Sequence, residues 1–158
     1  MGLARLVGVL VFFLILTTAV NAQELKISDG GLFAIPTKYE SNLTEVYFGD
    51  TLFIKVENGS GYSILVDGSN VGQDKGVYHV TKESGTITIE TSPTTQTITL
   101  TVKTPEGAQY WLAKYFLFAK TACPPLTGNV TADTVIWGIF LIPVICAVVM
   151  KIVFRIVL

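Results

Sequence analysis

Three asparagines are the residues of this 158-residue chain best placed for covalent chemistry, because each begins an N-x-[ST] sequon. The sequons are Asn42-Leu43-Thr44, Asn58-Gly59-Ser60 and Asn129-Val130-Thr131. This tripeptide accepts N-linked glycans in the secretory pathway, and it is modified at exposed positions. Asn42 and Asn58 are therefore predicted glycan sites. Asn129 lies only a few residues from an apolar segment, where access of the transferase would be restricted.

Side chains that catalyse reactions or bind metals are sparse in this sequence. His79 is the only histidine, and no cysteine pair or carboxylate pair accompanies it, which argues against a metal site or a catalytic triad. The G-x-S-x-G, H-E-x-x-H, P-loop and dinucleotide-binding motifs do not occur. The sequence predicts no catalytic residue, no metal site and no cofactor, and we expect a protein that is not an enzyme.

One oxygen-rich segment, Asp67-Gly68-Ser69-Asn70 with Asp74, has the composition of a calcium-binding loop. Val71 stands where the EF-hand spacing requires a third oxygen ligand. An Asp-Gly turn is therefore the favoured interpretation.

The two cysteines are predicted to lie in different environments, Cys123 before and Cys146 inside an apolar segment, so they cannot pair within one chain. The simpler interpretation is that Cys123 is a free thiol in the linker and that Cys146 is a small packing residue in the helix. A disulfide from Cys123 to another chain is the alternative.

Apolar segments lie at both ends of the sequence, and they raise its mean hydropathy to +0.55. Residues 1–22 have the features of a secretory signal peptide: Arg5, the apolar run from Leu6 to Leu16, and Val20-Asn21-Ala22. Such a short run covers about 16 Å as a helix, well under the roughly 30 Å of a bilayer core. Cleavage is therefore favoured over an uncleaved N-terminal anchor.

Residues 134–154 are predicted to form a transmembrane helix, because they are apolar and long enough to cross a bilayer. Trp137 suits the lumenal boundary, and Lys151 and Arg155 suit the cytosolic one. Residues 155–158 would form a short cytosolic tail. A glycolipid-anchor signal around Thr121-Ala122-Cys123 is the less favoured alternative, because Pro124, Pro125 and the two cations do not fit it.

Between these ends, residues 23–120 are predicted to form one lumenal β domain, joined to the helix by a linker at 121–133. Apolar and polar residues alternate in Thr51–Glu57, Gly85–Glu90 and Thr97–Lys103, which is typical of half-buried antiparallel strands. Further strand candidates are Glu24–Ser28, Leu32–Ile35, Thr44–Phe48, Tyr62–Val66, Val77–Thr81 and Gln109–Ala119. Turn signals between them favour a small antiparallel β-sandwich of immunoglobulin-like type that lacks the Cys…Trp…Cys pattern.

The last of these candidate strands carries the densest aromatic patch, which includes Trp111, Tyr115, Phe116 and Phe118. Both faces of such a strand are apolar. We therefore expect either a central core strand or an interface with a partner or the membrane surface.

Features of the predicted span favour packing against other helices. Gly138 and Ala147 would allow close approach, Pro143 would kink the helix, and Lys151 could pair with an acidic residue of a partner helix, although snorkelling is favoured. Little of the chain follows the span, so we expect the protein to act through its lumenal domain and its helix, as an accessory subunit of a larger membrane complex does.

The segment Leu126–Leu141 (LTGNVTADTVIWGIFL) resembles the membrane-entry segment of vacuolar ATPase accessory subunits. The layout is also similar to that of translocon-associated protein subunits of the endoplasmic reticulum. These resemblances imply a type I glycoprotein of the secretory pathway or endomembranes, embedded in the bilayer and bound to a membrane complex.

A cell-surface adhesion or recognition glycoprotein at the plasma membrane is the alternative. The predicted lumenal part has twelve acidic residues and eight lysines, a formal charge of −4. Binding to nucleic acid or anionic lipid is therefore not expected.

Overall fold

The computed structural model describes residues 23–59, 61–73 and 76–157. The predicted signal peptide at 1–22 lies outside the described residues, as do Ser60 of the second sequon and Asp74.

The described residues form two β-sheets followed by two helices. One sheet has three antiparallel strands in the order β1-β3-β6, and the other has five strands in the order β2-β8-β7-β4-β5. The strands are β1 Glu24–Asp29, β2 Glu45–Tyr47, β3 Thr51–Glu57, β4 Tyr62–Val66, β5 Ser69–Gln73, β6 Val77–His79, β7 Gly85–Thr91 and β8 Thr97–Lys103. The strand pairs of the described residues are antiparallel except at one edge, where β2 runs parallel to β8, and this edge departs from the predicted antiparallel architecture.

The three strands predicted from alternating polarity are confirmed as β3, β7 and β8, and their apolar residues point into the core. Leu52 of β3, Ile87 and Ile89 of β7 and Leu100 of β8 are fully buried, and side chains from both sheets form a single core. Burial of this apolar surface is the main stabilising term of the β domain.

Two differences lie at turns. The predicted strand Leu32–Ile35 is instead part of a turn and loop, where Ala34 has a φ of 54°. The sequence prediction missed β5, which pairs with β4 across a two-residue turn. In that turn Asp67 and Gly68 both have positive φ, as a tight hairpin of the type I′ class requires.

The prediction of a strand at Gln109–Ala119 is wrong, because Ala108–Ala122 is the α-helix that we call α1. Its residues (Ala, Leu, Lys and Gln beside the aromatic ones) include good helix formers. On a helix, Ala113 and Lys120 are about two turns apart and share one face, which packs on the sheets.

The second helix, α2, comprises Val130–Val157 and includes Pro143. From Val130 to Arg155 it is long and apolar enough to cross a membrane, with a mean hydropathy of 2.5 over its most apolar part. It begins before the predicted boundary at residue 134, so the predicted linker is shortened to the turn at 123–129.

Candidate functional site

The helices α1 and α2 and the turn between them form a helical hairpin, and this hairpin contains most of the predicted site residues. Tyr115 Oη donates a hydrogen bond of 2.7 Å to the backbone carbonyl of Gly138. A Cβ atom at Gly138 would lie 3.1 Å from the Phe116 ring. Gly138 was predicted to allow close approach of a helix, and the helix it accommodates is α1 of the same chain.

The turn between the helices is held by polar contacts at the start of α2. Trp137 Nε1 donates to the carbonyl of Pro124 at 2.8 Å, and Asp133 accepts from the backbone N–H of Thr127 at 2.8 Å. Asn129 Oδ1 accepts from the N–H of Thr131 at 3.0 Å, so this sequon asparagine caps the helix. The segment predicted to be a linker is therefore a structured turn.

The β domain contacts the helical hairpin through the loop that follows β1. The hydroxyl of Thr131 donates to the carbonyl of Ala34, and the rings of Phe33 and Phe116 lie 4.9 Å apart in an edge-to-face arrangement. Ala34 is buried in the left-handed region, a conformation that surrounding structure must enforce for a non-glycine residue. Both helices are thus tied to the same loop.

A second joint connects α1 to the turn before β3. Lys120 Nζ donates to the carbonyl of Gly49 at 2.9 Å. Gly49 has a φ of 91° and approaches α1 so closely that a Cβ there would lie 2.7 Å from the Cβ of Ala113. The β domain, α1 and the start of α2 therefore form one packed unit.

The groups around Lys120 have shifted pKa values. Burial lowers the pKa of Lys120 to about 8, opposed by the charges of Asp50 and Asp29. Burial and the nearby Asp29 raise the pKa of Asp50 to about 6. Burial and the Lys120 charge lower the pKa of His79 to about 4, and its Nδ1 lies 3.1 Å from the hydroxyl of Thr51.

A cavity of about 230 Å³ adjoins this cluster, between the β domain and the hairpin. Its lining includes His79, Lys120, Cys123, Asp133 and Thr134. Lys120 already donates to a backbone carbonyl, so the contacts assign it to joining α1 to the sheets. The sequence prediction missed this joint because the alternating pattern of a strand does not place Ala113 and Lys120 on one face.

The other predicted packing residues of the span lie beyond the β domain. From Ile139 to Arg155 every residue of α2 except Leu141 is exposed, and we call residues 139–157 the free segment. Pro143, Ala147 and Lys151 follow one another at four-residue spacing and share one side of it. Ala147 is nine residues from Gly138, about half a revolution, so these two residues face opposite sides.

The aromatic patch of α1 is divided between contact and exposure. Tyr115 and Phe116 are half-buried against α2, whereas Trp111 and Phe118 are exposed. Cys123 and Cys146 are free thiols, and Cys146 lies in the free segment. Within residues 23–59, 61–73 and 76–157 no group of three or more His, Cys, Asp or Glu side chains is placed to hold a metal ion.

Asn42 and Asn58 are exposed, as glycan acceptors must be. The carboxylate of Asp67 accepts from the N–H of Thr86 at 2.9 Å and pairs with Lys82, so it is engaged within the turn.

No protein-family model, curated protein or solved structure matches this chain.

The pKa shifts predict opposite effects of pH at His79 and Asp50. Between pH 6.5 and 4 the unfolded chain protonates His79 and the folded chain does not, so acid lowers stability through this residue. Between pH 6 and 3.8 the folded chain protonates Asp50 and the unfolded chain does not, so acid raises stability through that residue. In Asp50→Asn, the melting temperature should fall as pH drops from 6.5 to 4. In His79→Gln, it should rise.

Thermal unfolding of both variants in detergent, monitored by circular dichroism, measures this difference. Each slope should stay below about 1.4 kcal/mol per pH unit, the limit for one proton. The original chain, in which both groups act, should give the flattest profile of the three. Parallel profiles for the two variants would contradict the assignment.

Proposed function

We propose that this protein is a non-enzymatic, single-span type I membrane glycoprotein that acts as an accessory or assembly subunit of an endomembrane complex. The observation that carries the proposal is the joint between the β domain and α2. Three contacts, at Ala34, Phe33 and Gly49, join the β domain to the helical hairpin. Two more, at Pro124 and Gly138, hold α2 to the connecting turn and to α1, so the helix is fixed relative to the domain. A fixed joint sets the height and orientation of a domain above the bilayer, which a subunit docked into a complex requires.

The free segment supports the same proposal from the other end of the molecule. Nineteen helical residues at 1.5 Å per residue extend about 28 Å, close to the thickness of a bilayer core. The described residues cover almost none of this surface, and one side of it combines Pro143, Ala147 and Lys151. A small residue and a helix kink on one side favour contact with another helix, and Lys151 could pair there with an acidic partner.

For the β domain we infer the predicted β-sandwich of immunoglobulin-like type, because both sheets contribute to a single core. In this proposal the domain faces the lumen and carries glycans at Asn42 and Asn58.

The resemblance of residues 126–141 to vacuolar ATPase accessory subunits favours the membrane sector of a proton pump as the complex. A translocon-associated complex is the second candidate, on the basis of layout. An adhesion or recognition glycoprotein at the cell surface is the alternative function, and the glycan sites would suit it equally.

Purification of the tagged full chain in mild detergent, with mass spectrometry of the co-purifying proteins, tests the proposal. We expect a defined set of membrane subunits at a stoichiometric ratio, and little labelling of the protein by a membrane-impermeant reagent on intact cells. A protein that elutes alone and is labelled at the cell surface would instead support the adhesion function.

A further inference from the structure

The side of α1 that faces neither the sheets nor α2 presents two large apolar side chains, Trp111 and Phe118, with Lys114 between them. Trp111 is 69% exposed and Phe118 is 56% exposed, and these residues are about two turns apart on one face. Leu112 is 49% exposed but lies about 100° around the helix from Trp111, where it lines a cavity with Tyr47 and Asp50 of the β domain. Large side chains of this kind, clustered on one short helix, mark a surface that contacts something apolar.

Contacts at two levels show how high α1 lies beside α2. Near the connecting turn, Cys123 and Val130 line the same cavity. Further from the turn, Tyr115 binds the carbonyl of Gly138. The helices therefore run antiparallel, and Trp111, about one turn beyond Tyr115, lies at the level of Ile142.

The cations of α2 place the bilayer independently of α1. Lys151 and Arg155 must reach a headgroup layer, and about 20 helical residues cross the roughly 30 Å of hydrocarbon. Counting back from these two residues places the opposite edge near residues 131–135. Allowing about one turn for the reach of their long side chains moves this edge to about residues 135–139, which is also the level of Phe118. The level of Trp111, beside Ile142, lies inside that edge.

We propose that α1 is an interfacial helix whose Trp111 and Phe118 contact the lipids around α2, so that the β domain rests directly on the bilayer. The surface is continuous with the apolar free segment, which argues for lipid as its occupant. This inference rests on insertion of α2, which the proposed function also requires.

Lys114 is next to Tyr115 and therefore lies near the level of Gly138, at the edge of the bilayer, where its charge suits a headgroup environment. Lys114 pairs with Glu83 at 3.4 Å, and its Nζ lies 4.4 Å from the centre of the Tyr110 ring. Tyr110 in turn donates to Glu83 at 2.6 Å. The predicted lumenal part has a formal charge of −4, so the contact with lipid is apolar and should not need anionic headgroups.

The two tryptophans of the chain allow a direct test with the full protein in phosphatidylcholine vesicles. Trp137→Phe leaves Trp111 as the only indole, and Trp111→Phe leaves Trp137 as the control for insertion of α2. Lipids brominated near the headgroup should quench roughly half of the Trp111 emission, more than lipids brominated near the chain ends, because indoles prefer the interface. Aqueous iodide should have little effect on Trp111. Replacing part of the lipid by phosphatidylglycerol should leave the quenching unchanged.

Two results would overturn the inference, and they differ in what else they imply. If lipid quenches Trp137 while iodide alone quenches Trp111, α2 is inserted and the exposed face of α1 is free for a protein partner. If lipid quenches neither indole, α2 is not inserted, and the proposed function fails together with this inference.

Discussion

Replacing the free segment at 139–157 by an unrelated apolar helix should remove most of the partner complex that co-purifies with the protein. Pro143→Leu alone should weaken its recovery. Pro143 lacks an N–H group and bends a helix where it stands, so leucine would straighten α2 and change how its exposed side fits a neighbour. Leucine is apolar, so insertion into the bilayer should not suffer. A loss of about 1.4 kcal/mol in association would lower affinity about tenfold.

Burial along α2 determines which part of the helix can be exchanged without disturbing the β domain. Thr134 and Gly138 are buried, so the exchange begins after them and leaves the joint intact. Val149→Leu is the matched control, because Val149 is exposed and is eleven residues from Gly138, on the side away from Pro143 and Ala147. Full recovery with both the exchanged segment and Pro143→Leu would mean that α2 is only an anchor and that the β domain carries the function.

The β domain was predictable to the extent that its strands are buried on one face. In β7 and β8 the side chains of one face enter the core and those of the other face are exposed or half-buried, so polarity alternates along the sequence. In β3 the same holds from Leu52 onward, while Thr51 at its start is buried on the second face. The parallel pairing of β2 with β8 was not predictable in this way. It is a three-residue edge contact, and its direction depends on the path of the chain rather than on the residues.

The helix α1 was not predictable from alternation, because apolar residues occupy almost every position of its sequence. A short apolar run fits a buried strand and a buried helix equally well. Here three surroundings decide the outcome: the sheets cover Ala113, α2 covers Phe116, and Trp111 is left exposed. Such a division of one helix among three environments leaves no period in the sequence.

The candidate site was predicted in its parts and not in its arrangement. Gly138 was correctly singled out as a close-packing residue, but nothing in the sequence indicates that its neighbour is Tyr115 of the same chain. Lys120 is one lysine among eight in this part of the chain, and only the fold brings it to Gly49. The joint depends on residues far apart in sequence, and single-residue patterns do not report such contacts.

Gly49→Ala is expected to be the most destabilising of the small substitutions, because it acts on this joint in two ways. The φ of 91° at Gly49 is strained for any residue with a side chain, which costs about 1–3 kcal/mol. The new methyl group would also lie 2.7 Å from the Cβ and 3.0 Å from the Cα of Ala113, and overpacking of this kind costs about 1–3 kcal/mol. We expect a total loss of roughly 2–6 kcal/mol in the free energy of unfolding, measured by denaturant titration in detergent.

Gly31→Ala separates the two causes, because Gly31 also has positive φ, of 59°, but a Cβ there would contact nothing within 4 Å. It should cost only the strain, about 1–3 kcal/mol. Ala113→Gly in the Gly49→Ala background should then recover part of the loss, since it removes the shorter contact and leaves the approach to the α1 backbone. A net recovery is expected because relief of this contact should be worth more than the roughly 1 kcal/mol by which a glycine destabilises a helix. Equal losses for Gly49→Ala and Gly31→Ala, without recovery in the double variant, would mean that the close approach of Gly49 to Ala113 does not hold α1 to the sheets. The rigid joint on which the proposed function rests would then have to depend on Lys120 and the loop at Ala34 alone.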